Sequence, residues 1–236
     1  MAPTDKARYP ELLSLAVHEF RTPASVVGGY LRMLQRDSES FTERQRKMID
    51  EAEKSCARLV ALISELSDVS KLDAGIITLN RQPLDIFAVL AEVAEHVQEG
   101  KDREVRLEVR GESAGATIAG DGPRLHSAFE AVFRAILREK AGPCVVAAER
   151  RYEATGGKTS AVIVIAEDES VQAAYDSRPG VFDEKRGGLG LALPLARRVV
   201  EGLDGRIWSP AKPEGSDDAL AHAAILISFP VTESGR

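Results

Sequence analysis

The chain has 236 residues, a net charge of −6 at neutral pH and 5% aromatic residues, enough length for two small domains or one large one. Basic residues are interspersed with acidic ones and few aromatic rings are present to stack on bases, which excludes a general nucleic-acid binder. Cys56 and Cys144 lie far apart and in no metal-binding spacing with histidine, and no stretch approaches the roughly 20 apolar residues of a membrane span or reads as a signal segment, so the sequence predicts a soluble, cytoplasmic chain with reduced thiols and no metal site.

The first predicted element is a helix from about Pro10 to about Arg36, with apolar residues recurring at Leu12, Leu15, Ala16, Val26, Val27, Tyr30, Leu31 and Leu34. It carries the hexad His18, Glu19, Phe20, Arg21, Thr22 and Pro23. Residues three and four apart share a helical face, so His18, Arg21 and Thr22 lie together while Glu19 is displaced to the side. In that arrangement Glu19 can take a proton from one imidazole nitrogen as the other attacks phosphorus, and Thr22 can position a water against a phosphohistidine. Pro23 removes one helical hydrogen bond beside the nucleophile, which predicts a bend.

A turn at Asp37 to Ser40 leads to a second helix that opens on a capping box, Thr42 to Gln45. Its apolar positions, from Met48 and Ile49 through Cys56, Leu59, Leu62, Ile63 and Leu66 to Leu72, keep a heptad-like spacing until Gly75. One antiparallel hairpin cannot cover both apolar faces, so a second copy completing a four-helix bundle is expected, hence a homodimer.

After Gly75 the pattern changes to alternating helices and strands, marking a boundary near residues 74 to 80 and domains at 1–75 and 76–236. The sequence predicts strands near Ile76 to Leu79, Val105 to Val109, Ala116 to Ala119, Cys144 to Tyr152, Ser160 to Ala166, Arg206 to Trp208 and Ala223 to Phe229. Helices are expected at about Asp85 to Gln98, Pro123 to Arg138 and Leu189 to Glu201. Gly156 and Gly157 make a hairpin turn, and Pro210 to Asp218 read as a polar surface loop. The run Val162 to Ser170, ending in acidic residues, has the look of a receiver-domain start, but too little chain follows for that fold. The fold class is α+β: a helical hairpin followed by an α/β sandwich.

The hexad resembles the H box of the histidine protein kinases of bacterial two-component signalling. The resemblance extends over nearly the whole chain through Ser70 to Gly75 at the hairpin exit, Asp121 to Leu125 before the second helix of the sandwich, Gly187 to Leu191 before the third, and Asp204 to Trp208 after it. It implies a dimerisation and phosphotransfer hairpin followed by a sandwich of the histidine-kinase ATPase type, a mixed sheet covered on one face by helices. Gly188 and Gly190 would let backbone amides approach phosphate oxygens at a helix start.

Other nucleotide elements of the family are altered. The two asparagines that the family carries one turn apart, the second of which helps hold magnesium, fall on Ala131 and Ala135, and a hard cation needs oxygen donors. Glu167 stands for the aspartate that accepts the adenine amino group, Glu169 and Val171 for two glycines, and Arg186 for the first glycine of the last box. The lid, Gln172 to Arg186, is short, although Val181 and Phe182 resemble its phenylalanine region. ATP and magnesium would be cofactors only with compensation, for instance Arg138 or Arg186 neutralising phosphate charge and Asp168 taking the adenine contact.

Three functions follow from the resemblance. The chain is expected to be a phosphorelay protein carrying phosphate on His18 and exchanging it with an aspartate of a response-regulator receiver domain, with the second domain used for docking. The alternatives are an ATP-dependent sensor kinase that autophosphorylates His18, and a scaffold that never carries phosphate.

Overall fold

The structure, a computed structural model, describes residues 5–37, 40–211 and 224–232. It divides into two compact units, Met1–Thr78 and Leu79–Arg236.

The first unit is an antiparallel hairpin of α1 (Asp5–Arg36) and α2 (Glu43–Asp73). Helix α1 begins before Pro10 and continues through Pro23 to Arg36. The predicted turn between the helices falls partly on residues 38 and 39, outside the described residues. Thr42 caps α2 in a reciprocal box: its side chain accepts from the Gln45 amide, and the Gln45 side chain accepts from the Thr42 amide at 2.9 Å. Val17, Ala24 and Ile63 form the buried seam, flanked by Val60 and Leu66. The other side of α1 leaves Leu12, Leu15, Val26, Tyr30 and Met33 exposed.

Helix α2 ends in a Schellman motif. Gly75 adopts φ 66°, its amide bonds the Leu72 carbonyl at 3.0 Å, and the Ile76 amide bonds the Lys71 carbonyl at 2.9 Å. The Ile77 amide reaches the same Lys71 carbonyl. These bonds explain why the strand predicted at Ile76 to Leu79 is absent: two of its amides close the helix instead of joining a ladder. The first strand is β1 (Gln82–Asp85), antiparallel to β3 (Thr117–Gly120).

In the second unit, α3 (Ile86–His96) is capped by Asp85 through the Phe87 and Ala88 amides, and α4 (Gly122–Arg138) by Asp121 through the Arg124 amide, with Pro123 in its first turn. The remaining elements are β2 (Val105–Gly111), β4 (Cys144–Thr155), β5 (Lys158–Glu167), α5 (Val171–Asp176), α6 (Ala192–Gly202), β6 (Arg206–Trp208) and β7 (Ile225–Pro230). Among the described residues the larger sheet has the order β2-β4-β5-β7-β6, with β2 and β4 parallel and the other neighbours antiparallel. The polar loop predicted after Pro210 lies mostly outside the described residues.

Strand pleating divides the sheet residues between two faces. On one face Arg150 Nη1 donates to the Phe87 carbonyl at 3.3 Å and Tyr152 meets the Phe87 ring edge-on, so α3 lies there; α4 packs on both α3 and α6. The opposite face presents Ala147, Val162, Val164, Ala166 and Leu226, and Val171 and Ala174 of α5 pack onto them. The sheet is therefore covered on one face by a helical layer and on the other, in part, by α5, an element that the sequence reading did not contain.

Candidate functional site

His18 and Glu19 stand on α1 with 79% and 70% of their side-chain surfaces exposed. The His18 Nδ1 atom lies 3.5 Å from Glu19 Oε1, a long contact that orients the ring and leaves Nε2 directed away from the carboxylate. Thr22 and Arg21 are likewise exposed. Across the hairpin, the Cys56 thiol donates to the Ala24 carbonyl at 3.3 Å and Ile63 packs with Val17, so the α2 segment between Cys56 and Ile63 faces the hexad. All three residues predicted for phosphoryl chemistry, His18, Glu19 and Thr22, thus lie on one solvent-facing stretch of α1.

The second candidate region, on the second unit, is built from α4, the end of β5 and the glycine turn before α6. Ala131 and Ala135 of α4 and Glu139, its C-cap, are spaced four apart and lie along one face. Ala135 is fully buried, and what buries it is backbone: a Cβ placed on Gly187 would come within 2.6 Å of Ala135 Cα and 2.9 Å of its carbonyl oxygen. The 3₁₀ turn Arg186–Gly188 therefore lies directly on the helix face where the asparagines were expected.

Arg186 fixes that turn in place. Its Nε and Nη2 atoms reach Glu139 Oε1 and Oε2 at 3.3 and 2.5 Å, and Nη1 donates to the Ala224 carbonyl at 3.1 Å. Its side chain is only 3% exposed. A bidentate guanidinium–carboxylate pair of this kind is stronger than a neutral hydrogen bond and has a fixed geometry.

The candidate base-binding residue is engaged as well. Glu167, at the end of β5, accepts from Lys140 Nζ at 2.7 Å, and Lys140 is buried. Next to this pair, burial first and the Glu167 carboxylate second push the Cys144 thiol up, against the opposing pull of Lys140. The compensating residues are also occupied elsewhere: Asp168 is bound by Arg110, and Arg138 donates to Glu99 at 3.1 Å. Gly188 and Gly190 are exposed with φ of 60° and 68°, and Gly188 has open space where a Cβ would be. Within the lid region, Phe182 is buried whereas Val181 is exposed, and the segment before them is tied to the β6 exit by Gly180 N to Ser209 O and Ala211 N to Arg178 O, both 2.7 Å.

The sequence reading missed Glu139 and Lys140. Glu139 was within reach of it, since it lies one turn beyond Ala135 on the same face; Lys140 carries no comparable local signal.

The His Kinase A (phospho-acceptor) domain family matches residues 11–75, the hairpin with His18. Residues 11–75 thus match a phospho-acceptor domain, and the chain is similar to sensor histidine kinases of two-component signalling. It is similar over most of its length to the signal transduction histidine-protein kinase BarA of Escherichia coli K12, at 26% identity over 94% of this chain and 26% of BarA. It is 25% identical to the sensor protein GacS of Pseudomonas syringae pv. syringae over 88% of this chain and 24% of GacS. The chain thus spans about a quarter of the length of these relatives. Its fold is that of full-length ShkA, solved with AMPPNP, with a TM-score of 0.69 and 21% identity over 96% of this chain and 47% of that one. Among the described residues no helix is long and apolar enough to cross a membrane.

Proposed function

We propose that this histidine kinase homologue works as a phosphorelay protein: His18 carries a phosphoryl group and exchanges it with an aspartate of a response-regulator receiver domain, and the second unit does not draw phosphate from ATP. The observation that carries this reading is the packing of Gly187 against Ala135, locked by Arg186 and Glu139. Magnesium and a triphosphate need oxygen donors, space and positive charge between α4 and the glycine turn. The residues there supply two methyl groups, a backbone contact and a carboxylate already neutralised by Arg186. ATP and magnesium do not fit this set.

At the hairpin the chemistry needs no nucleotide. The Nε2 lone pair attacks the phosphorus of an aspartyl phosphate; the bond from phosphorus to the aspartyl oxygen breaks and leaves its electron pair on the carboxylate. Glu19, beside Nδ1, takes the ring proton and returns it in the reverse direction, and Thr22 orients water when the phosphoryl group is hydrolysed. The exposed apolar residues of α1 opposite the α2 seam support a homodimer in which two hairpins form a four-helix bundle. The reading puts the chain in the cytoplasm with its regulator.

The test is transfer from phosphorylated receiver domains to the chain, with His18→Ala as the control. Acid-labile label that appears on the chain and is lost in His18→Ala is the expected result. Label on His18 from ATP and magnesium alone would replace the relay with an autokinase. An absence of label from every donor, with signalling intact in His18→Ala, would leave a scaffold.

A further inference from the structure

Arg21 stands three residues after His18 on the same side of α1, with Cβ atoms at this spacing about 5–6 Å apart. It is exposed, and among the described residues its guanidinium has no hydrogen-bond or ion-pair partner. The reason is visible in the surrounding sequence. From Phe20 to Arg36, α1 contains no Asp or Glu, and the α2 segment facing the hexad, Cys56 to Ile63, contains none either. The one carboxylate at the site, Glu19, lies against the Nδ1 edge of His18. The surface beside His18 is thus kept free of acids that would capture Arg21.

We propose that Arg21 is the phosphoryl-binding residue of the His18 site, its guanidinium hydrogen-bonding two peripheral oxygens of the group carried on Nε2. This rests on the reading that His18 carries phosphate. The two neighbours then divide the work by charge: Glu19 handles the proton at Nδ1, and Arg21 handles the anion at Nε2. A planar guanidinium matches two phosphoryl oxygens at once, and it keeps all its protons throughout the transfer. Negative charge spreads over those oxygens as the phosphoryl group moves, so the same contact that holds phosphohistidine also favours its formation and its departure.

The experiment uses the full chain phosphorylated with phosphoramidate, which modifies exposed imidazoles without ATP or a regulator. The ³¹P resonance that disappears in His18→Ala is followed against pH in the wild type, Arg21→Ala and Arg21→Lys. A cation about 4 Å away in a solvated site is worth about three-quarters of a pH unit, so Arg21→Ala should raise the phosphoryl ionisation by that amount and Arg21→Lys should restore part of it. Transfer to a receiver domain should fall at least about tenfold in Arg21→Ala, the least expected when charge-assisted hydrogen bonds to two oxygens are lost. Because Arg21 is exposed, circular dichroism of the variants should match that of the wild type. A ³¹P titration moved by Arg21→Ala upholds the proposal even where no regulator accepts the group, an outcome that counts against the relay alone. An unchanged titration overturns it even where transfer proceeds, and leaves Arg21 a solvated charge.

Discussion

Arg186, in the glycine turn, grips Glu139, at the C-terminal end of α4, with two guanidinium nitrogens while its third bonds the Ala224 carbonyl at the entrance to β7. One side chain thereby joins three elements. Glu139→Ala strands the buried Arg186 guanidinium and should destabilise the second unit by about 3 kcal/mol, whereas Arg186→Ala leaves a Glu139 carboxylate that water can reach and should cost less. For a unit of this size the Glu139→Ala loss is a fall of roughly 6–12 °C in Tm. Calorimetry on the two single variants and the double variant checks this; the double should cost less than the sum, since the coupling is lost only once.

The two adjacent glycines of that turn should respond very differently to the same change. Gly187 and Gly188 both have positive φ, a conformation that costs a side chain about 1 kcal/mol. A Cβ on Gly188 meets open space, whereas one on Gly187 meets the backbone of α4 at 2.6 Å. Gly188→Ala is expected to cost about 1 kcal/mol, and Gly187→Ala about 2–4 kcal/mol once overpacking is added. Urea unfolding of the two variants is the measurement, and equal losses would contradict the packing of the turn on Ala135.

How far this could be read from the sequence depended on the range of the interactions. The start of α2 was legible because Thr42 and Gln45 settle it between themselves, and α4 because Asp121 and Pro123 sit at its first turn. Ile76 and Ile77 misled: β-branched and apolar, they suit a strand, but their amides are consumed by the Lys71 carbonyl. Helix α5 was illegible because six residues give too little periodicity, and its anchors, Val171 and Ala174, act only once β5 and β7 are assembled beneath them. The loss of oxygen donors at Ala131 and Ala135 could be counted from spacing alone. That Arg186 would find Glu139, 47 positions away, could not.

The link between Arg81 and Asp204 should show itself in acid. A hydrogen bond from Arg81 holds the Asp204 carboxyl below its ordinary 3.8, and Arg81 also donates to the Gly202 carbonyl at 2.7 Å. A lowered folded-state value means that the contribution is complete above the unfolded value of about 3.9 and is lost as pH falls through the folded one. Both groups are well exposed, so the contribution is small. Asp204→Asn preserves the positive φ, which asparagine tolerates. The variant should be slightly less stable than wild type above about pH 5, and the two curves should converge only as pH falls through the lowered folded-state value of Asp204. Parallel curves across that range would rule out the linkage.

The exposed apolar side of α1 leads to a prediction about assembly. Val26 and Tyr30 lie one turn apart on the side away from the α2 seam, exposed by 52% and 65%, and Leu12 and Met33 extend the same stripe. An apolar stripe of this length in a soluble chain is normally covered, and a second hairpin covers it in a four-helix bundle. A charge placed at its middle would be buried without a partner. Val26→Glu and Tyr30→Glu should therefore convert a dimer to a monomer in sedimentation experiments at micromolar concentration, while Ser25→Glu, off the stripe, should leave the dimer intact. Each monomeric variant should also lose helicity, because among the described residues an isolated hairpin has a small apolar seam, Val17, Ala24 and Ile63 with Val60 and Leu66 beside them, to hold its two helices together. A wild-type chain that sediments as a monomer would instead mean that the stripe is covered by something other than its own copy.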